Sequence, residues 1–563
     1  MNNNISLAPL LILCGVFGSY FVSDHYPPWT SFYNEFLMAI SFLGLSVYCV
    51  YLFWKSEIYL SFASIFLLLI CFIPLIQAAN GVVVFWGDAW MASGYLLAVA
   101  ITFSVGFNFA KLNVERTVEV IALLFLFVAI FSCGIVFYQW LEVDSLGIWV
   151  AEDNYGGRPT GNLGQPNNQA TLLMLGVASC FYVRAKGSVG RALFLTVSLF
   201  LFAGIALTES RTAGVGVVFL LLWWGWKIKP LSPRISKLEP FILACLYVVF
   251  YFVNTPVSEL LLLPGGSGIS RLGNLPSDGR LAIWSQMIEA MKTSTPLGYG
   301  WNQVSSAQVK VVDGFPLSQE MTAYSHNIIL DLLIWNGWII GGVLVLIGGR
   351  WLIISILKSR KLEISVPLLW LGLLLVHSML EFPFAYAYFL LPAAFLAGLV
   401  DLHISKLRYR VSKYSVLAVL VICVVFLSVV WRDYRMIEED FRQMRFESAG
   451  LAMANQDGFG VDVLMLNQLQ QYILLARTKV SPSMTDDKIF WIEKVCHRYP
   501  TTRSMYVYIS ALTLNGMSKQ GGQELLKFRN LFGEKDYLRA FKKLQLLTDE
   551  YSMDFEYEML PPL

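Results

Sequence analysis

Apolar residues run in blocks along this chain, and a block of about twenty is long enough to cross a hydrocarbon core as a helix. Short polar breaks separate the blocks. The pattern predicts roughly thirteen spans: Leu7–Val22, Phe36–Trp54, Ile58–Ile76, Trp90–Phe109, Val118–Tyr138, Gln169–Val183, Ala192–Leu207, Val215–Trp226, Pro240–Val253, Ile328–Ile356, Ile364–Val376, Ala385–Leu399 and Tyr414–Trp431. The first lacks the basic n-region and small-residue cleavage site of a signal peptide, so it is expected to remain as a span.

After Trp431 the pattern changes. Met436–Met453, Val461–Thr478, Asp486–His497, Met505–Leu514 and Gln523–Phe532 carry apolar residues at helical spacing with charge between them. Paired helices follow, similar to a tetratricopeptide-like array but with no clean repeat. The expected division is a transmembrane domain over residues 1–431, with a large Gly-, Ser- and Pro-rich outer loop at 254–325, and a helical domain over 432–563. That second domain suits a stabilising role or a docking surface for a protein partner.

Charge sets the orientation. Lys55, Lys111, Arg116, Arg184, Lys186, Arg191, Lys227, Lys229, Arg234 and Lys237 fall in alternate loops, with Arg350, Lys358, Arg360, Lys361, Lys406, Arg408, Arg410 and Lys413 continuing the series. The intervening loops hold only Arg158, Arg211, Arg271, Arg280, Lys292 and Lys310, although two of them are long. Basic loops face the cytoplasm. The amino terminus is therefore expected inside, and the tail on the far side.

Composition agrees with the pattern. Apolar residues make up 56% and charged residues 14%, against about 25% charged in ordinary globular proteins. Mean hydropathy is +0.59. Such a chain is an all-α polytopic membrane protein. Its 41 basic and 39 acidic residues nearly cancel, which disfavours nucleic acid as a partner. Of the 8 cysteines, all but Cys496 lie within the spans, and no C-x-x-C pair occurs, so they read as apolar packers rather than zinc ligands or a disulfide framework.

Polar groups near membrane depth are costly and need a reason. Four clusters stand on the outer side. Arg158 to Asn168 combines Gly and Pro with the amides of Asn162, Gln165 and Asn167 just before a span. It reads as an anion-favouring helix start or as a simple capped turn. Glu209-Ser210-Arg211-Thr212 holds a cation that reads as a ligand or as a snorkelling side chain. Asp278-Gly279-Arg280 begins an amphipathic helix bearing Trp284, Met287 and Ile288, with Pro296-Leu297-Gly298-Tyr299-Gly300 beyond it. Tyr324-Ser325-His326-Asn327 opens a long span in which Gly337, Gly341 and Gly342 permit close helix packing. Near it in topology lies His377-Ser378-Met379-Leu380-Glu381-Phe382-Pro383, followed by Tyr386. Taken together, arginines, amides and a histidine on one face suit a diphosphate leaving group held by guanidinium forks beside a base for a hydroxyl. Paired carboxylates and His clusters are missing, so no metal or other cofactor is expected.

Arg158-x-x-Gly161-Asn162-Leu163-x-Gln165-Pro166-Asn167, Ser325-His326-Asn327-x-x-Leu330 with Asn336-Gly337, and His377-Ser378-x-x-Glu381-x-Pro383 resemble the bacterial protein O-oligosaccharyltransferases, or pilin glycosylation ligases, of the O-antigen ligase and polymerase superfamily. The resemblance covers about residues 151–400, and Phe382 departs from the Tyr expected there. It implies a GT-C-like, O-antigen-ligase-like inner-membrane enzyme. Such an enzyme moves a preassembled glycan from undecaprenyl diphosphate to Ser or Thr of a periplasmic protein such as a type IV pilin. Carried over by motif, His326 is catalytic, Arg211 and Arg280 bind the diphosphate, and Arg158, Asn162, Gln165 and Asn167 position donor or glycan. Asn327, His377, Glu381 and Tyr386 support them.

One base with no paired nucleophilic carboxylate predicts direct displacement with inversion. Two other readings fit the same residues less well. A lipopolysaccharide O-antigen ligase or polysaccharide polymerase would use a glycan acceptor. A transporter or flippase would show midplane charges in two related halves.

Overall fold

The computed structural model describes residues 7–152, 157–236, 238–263, 279–315, 321–451, 460–554 and 557. Lys237, Arg271 and Asp278 lie outside these residues. The described residues are mostly helical: α1 Leu7–Ser19, α2 Phe32–Leu52, α3 Phe62–Ile70, α4 Ile73–Ala79, α5 Trp86–Trp140, α6 Pro166–Lys186, α7 Arg191–Leu207, α8 Arg211–Trp223, α9 Leu238–Leu260, α10 Gly279–Lys292, α11 Val304–Val311, α12 Ile328–Lys358, α13 Leu362–Ser378, α14 Ala387–Ile404, α15 Lys413–Ser448, α16 Asn467–Arg477, α17 Asp486–Arg498, α18 Thr502–Leu514, α19 Ser518–Phe532 and α20 Glu534–Glu550. The described sheet is one antiparallel pair, β1 Ile58–Ser61 with β2 Arg408–Val411, in which Tyr59 faces Arg410 and Ser61 faces Arg408.

Among the described residues, 8 helices are long and apolar enough to cross a membrane, and α1, α7 and α13 are shorter apolar helices. The protein is a multi-pass membrane protein. Helix α5 is interrupted at Asn113 (φ −164°, ψ 97°), and the Asn113 side chain caps the second half by accepting the Arg116 N–H at 2.9 Å. The predicted Trp90–Phe109 and Val118–Tyr138 are the two sides of that break. All eight cysteines are free thiols.

The residues group into two compact units. The first comprises Met1–Ile70, Tyr95–Leu275 and Gly348–Leu427. At its centre is α6, in which every residue from Asn168 to Val183 is buried; a helix apolar on all sides belongs inside other helices. Glycines allow the tightest crossing. A Cβ on Gly398 would lie 1.9 Å from the Phe103 carbonyl, and one on Gly106 would lie 2.1 Å from that of Phe395, so α5 and α14 meet backbone to backbone.

The second unit comprises Cys71–Gly94, Pro276–Ile347 and Ser428–Leu563. The tail helices read from the sequence as the 432–563 domain group here with segments far upstream. The ties are specific. The Arg498 guanidinium forks onto the Asp88 carboxylate at 2.8 and 2.7 Å. Gly87 N–H reaches Asn467 Oδ1 at 2.8 Å, the hydroxyls of Ser305 and Ser306 reach the carbonyls of Arg498 and His497, both at 3.0 Å, and Asn530 Nδ2 reaches the Val312 carbonyl at 3.1 Å. Thr485 caps α17, and Thr501 with Ser504 forms a capping box on α18.

Here too the predicted continuous span from Ile328 to Ile356 is broken at Gly337 (φ 73°, ψ 172°). The freed carbonyls of Ile334 and Trp335 are taken by the N–H groups of Tyr299 and Gly300 at 2.8 and 3.1 Å, and Gln77 Nε2 also reaches Trp335 O at 2.7 Å. Trp301 Nε1 donates to Asn336 Oδ1 at 2.9 Å. Gly337 serves a break in the helix rather than only close packing, and the Pro296–Gly300 string is its counterpart.

Gly337→Ala combines a positive φ with a Cβ 2.5 Å from the Pro296 carbonyl. It is expected to lower the melting temperature and the monodisperse fraction of purified protein; a wild-type melt would contradict this account of the break. In the tail, burial pushes the Glu524 carboxyl up, but His497, 3.7 Å away, and Lys527, 2.8 Å away, outweigh it and hold the group below the ordinary range. A depressed carboxyl stabilises the fold above its unfolded pKa, and that contribution is lost as pH falls through the folded one. Wild-type stability should therefore decline between about pH 5 and pH 3. Glu524→Gln should be less stable at neutral pH and flatter across that window, as measured by thermal melts.

Candidate active site

The amide-rich turn before α6 is built largely from its own side chains. Asn162 is buried, giving its N–H groups to the carbonyls of Phe21 and Trp149 at 2.9 and 2.8 Å and taking the Ala151 N–H at 3.0 Å. Gln139 Oε1 takes the N–H groups of Thr160 and Gly161 at 3.0 and 2.8 Å, and His25 Nε2 lies 3.0 Å from the Asn162 carbonyl. Gly164 adopts φ 66° against the His25 ring, where a Cβ would come within 3.0 Å. Gln165 then caps α6, its Oε1 accepting the Asn168 N–H at 2.6 Å. Pro166 follows at the first helical position, where its missing N–H costs nothing.

The turn between α7 and α8 is held from several sides. Glu209 adopts a positive φ of 50° and is buried. Arg158 donates through Nε to the Thr208 carbonyl at 3.0 Å and through Nη2 to that of Glu209 at 3.5 Å. Asn254 Nδ2 donates to the Glu209 carboxylate at 3.1 Å. Ser258 Oγ in turn donates to Asn254 Oδ1 at 3.3 Å and accepts Trp140 Nε1–H at 3.0 Å. Ser210 caps α8 by accepting the Ala213 N–H at 3.2 Å and gives its own proton to Asn167 Oδ1 at 2.7 Å. Arg211 stands exposed as the first residue of α8. A cation at a helix amino terminus opposes the helix dipole by about 0.3–1 kcal/mol. A bound anion reverses that sign, because it faces both the guanidinium and the free N–H groups.

Asn167 joins this turn to a third segment. Its Nδ2 donates to Glu381 Oε1 at 3.0 Å. The Glu381 N–H returns to the His377 carbonyl at 2.8 Å, and His377 Nδ1 lies 2.9 Å from Thr171 Oγ1 on α6. Tyr386 stacks between Phe382 and Tyr388, with centroids 6.0 and 5.1 Å away, and the Tyr388 hydroxyl accepts from Asn168 Nδ2 at 3.0 Å. Glu35, a buried carboxylate absent from the sequence-based candidates, accepts the Ala387 N–H and Trp29 Nε1–H, each at 3.0 Å, with the hydroxyls of Ser31 and Tyr95. It fixes the backbone beside Tyr386. The signal for it was a lone carboxylate inside an apolar run.

The remaining candidates lie in the second unit. His326 adopts φ 58°, a left-handed conformation uncommon for a side-chain-bearing residue and costly by about 1–3 kcal/mol. Its neighbours impose that geometry. Ser325 N–H reaches Asp331 Oδ1 at 2.8 Å, Ser325 Oγ–H reaches the Asn327 carbonyl at 2.9 Å, and Asn327 Oδ1 caps α12 by taking the Ile329 N–H at 3.0 Å. Trp284 Nε1 donates to the Ser325 carbonyl at 2.9 Å. Arg280 precedes Trp284 by one helical turn on the same face of α10, so that bond ties the helix carrying Arg280 to the turn carrying His326.

The candidates thus form two groups: Arg158, Asn162, Gln165, Asn167, Arg211, His377, Glu381 and Tyr386 in the first unit, and Arg280, His326 and Asn327 in the second. Each group presents an arginine in the first turn of a helix, and the second also holds a titratable ring in a strained turn.

The direction of the Asn167 amide is testable. Asn167→Asp sets a carboxylate against Glu381 while leaving Ser210 a partner. Activity should fall roughly tenfold to a hundredfold, for about 1–3 kcal/mol of lost buried pairing. Adding Glu381→Gln restores a donor facing Asp, so the double variant should regain most of that loss; failure to do so would mean the bond is incidental.

Residues 196–347, which include Arg211, Arg280 and His326, match the family model described as O-antigen ligase. Residues 366–546, which include His377, Glu381 and Tyr386, match the model described as the C-terminal part of a virulence factor membrane-bound polymerase. A "General O-oligosaccharyltransferase" of Acinetobacter baylyi is 28% identical over 525 residues, 91% of this chain and 90% of that protein. A "ComP-specific O-oligosaccharyltransferase" of the same organism is 26% identical over 494 residues, 86% of this chain and 87% of that protein. No solved structure matches the chain. The family matches cover both groups of candidate residues except the turn before α6, and the relatives extend over nearly the whole length: the chain is similar to the O-oligosaccharyltransferases of the O-antigen ligase superfamily, and its activity is that of a glycosyltransferase.

Proposed function

We propose that this enzyme moves a preassembled oligosaccharide en bloc from undecaprenyl diphosphate to a Ser or Thr hydroxyl of a periplasmic protein, type IV pilin among the candidates, at the outer face of a Gram-negative inner membrane. In this reading the chain crosses the bilayer thirteen times with its amino terminus in the cytoplasm, and the helical tail lies in the periplasm. The observation that carries it is Arg211. Its exposed guanidinium opens a helix whose preceding turn is immobilised by Arg158, Asn254 and Asn167.

The acceptor oxygen attacks the anomeric carbon as the bond from that carbon to the diphosphate oxygen breaks. The diphosphate leaves with the bonding pair, and the hydroxyl proton passes to the His326 imidazole. Arg211 and Arg280 carry the charge that develops on the leaving group, a role best filled by fixed donors in a site with little water. Gln165, Asn167 and their neighbours position the donor. One displacement inverts the anomeric configuration, and no metal enters the scheme.

A glycan acceptor is the second reading, favoured by the polymerase-type match over 366–546. Relatives whose names specify O-oligosaccharyl transfer, aligned over 91% and 86% of the chain, favour a protein acceptor.

With purified lipid-linked donor and a pilin acceptor, His326→Ala that inserts normally should lose roughly a hundredfold to ten-thousandfold in transfer. Arg211→Lys should raise the donor KM, because an ammonium cannot fork onto a diphosphate. Near-wild-type transfer by the His326 variant, a trapped glycosyl-enzyme or retained anomeric configuration would each refute the scheme.

A further inference from the structure

The most specific unassigned feature lies at the two-stranded sheet of the first unit. Asn108, on α5, locks onto β1 by accepting the Tyr59 N–H at 3.1 Å and donating to the Tyr59 carbonyl at 2.8 Å. This holds Lys111, three residues further along the helix, with its Nζ 3.9 Å from the Tyr59 ring centroid and 5.6 Å from that of Phe53. Arg408, on the paired strand, lies over Phe107 at 5.9 Å, one helical turn before Lys111.

Neither cation has a hydrogen bond or ion pair among the described residues. The nearby carboxylate of Glu57 is engaged by Arg410 at 2.7 Å and by the Tyr59 hydroxyl. Two like charges thus stand close enough to repel each other, each backed by an aromatic face that stabilises a cation without neutralising it. The Glu57 carboxylate offsets part of that repulsion but is shared with Arg410 and Tyr59, so a further anion would be favoured here. Exposed Trp54 (44%), Phe62 (58%) and Leu407 (60%) flank it. Aromatic and apolar side chains beside cations at the end of a helical bundle mark the headgroup level of a bilayer.

We infer that Lys111 and Arg408, with the Tyr59 and Phe107 faces behind them, form a binding site for the phosphate of one anionic phospholipid whose acyl chains lie along Phe62 and Leu407. The shared chemistry is a phosphate monoanion, and the apolar flank selects a lipid over a free ion. The site is independent of the transfer reaction.

The test uses the full-length protein in zwitterionic nanodiscs with and without phosphatidylglycerol, and in neutral detergent with inorganic phosphate. Readouts are the melting temperature and the lipid retained in native mass spectra. The wild type should retain phosphatidylglycerol in preference to phosphatidylcholine from a mixed disc and melt higher with it. Lys111→Gln with Arg408→Gln should weaken retention by more than tenfold, on the basis of roughly fivefold per cation. Lys55→Gln, removing an exposed cation of the same basic series, should change it little.

No lipid preference by the wild type overturns the proposal without any variant. So does retention unchanged in the double variant, or an equal loss in Lys55→Gln, which would indicate diffuse attraction. A melting shift reproduced by inorganic phosphate alone would overturn the lipid assignment.

Discussion

A backbone crossing hydrocarbon must pair every N–H and carbonyl within the protein, and this constraint governs where the chain can depart from helix. Each departure near the candidate residues is repaired. At Gly337 the carbonyls of Ile334 and Trp335 go to Tyr299, Gly300 and Gln77. At the α7–α8 turn the carbonyls of Thr208 and Glu209 go to Arg158. At the start of α6 the Asn168 N–H goes to Gln165. Irregular backbone is expensive in this setting, so it is found where polar side chains have been gathered to satisfy it. The same side chains then fix the functional groups on either side.

That arrangement suits a reaction with a good leaving group. A lipid diphosphate needs little acid catalysis, but the charge it takes away must meet donors already in place. Immobilised turns supply this. Ser210 uses its lone pair for the α8 cap and its proton for Asn167, so Arg211 begins from a fixed backbone and gives up mainly its own rotamer freedom on binding. His326 illustrates the other side of preorganisation. Its left-handed backbone is unfavourable alone and is stabilised by four hydrogen bonds around Ser325 and Asn327.

Much of this was legible in the sequence because apolar periodicity and local caps depend on neighbouring residues. The apolar runs located many of the helices, although the run from Ile58 to Ile76 opens as strand β1 and breaks between α3 and α4, and the break at Asn113 fell in a stretch already read as a polar loop. The break at Gly337 was missed. The Asn336-Gly337 pair carried a turn signal inside an otherwise apolar run, but what stabilises the interruption is a loop some thirty-five residues upstream. The pairing of Arg498 with Asp88 spans 410 positions and leaves no trace in neighbouring residues. Glu35, Gln139 and Asn254 escaped for the same reason: each acts on backbone or carboxylate groups that only the fold brings to it. Motif strings identified Arg158, Gln165 and His326 and the resemblance gave each a role, but not the bonds by which Arg158 and Gln165 hold the neighbouring backbone.

The arginines show why that distinction matters. Arg158 was read as a positioning residue and Arg211 as a diphosphate ligand, and their surroundings separate them in the same sense. Arg158 directs Nε and Nη2 at two successive carbonyls, a fork that lysine cannot reproduce, so its principal effect is to lock Thr208 and Glu209. Arg211 extends from the locked segment into an exposed position, at the end of a helix whose dipole disfavours it. A protein gains no stability from that placement, and a snorkelling side chain would not need three other residues to hold its backbone still. An anion at that helix start would offset the unfavourable placement, which is why the proposed reaction assigns Arg211 to the leaving phosphate and Arg158 to holding the turn from which Arg211 extends.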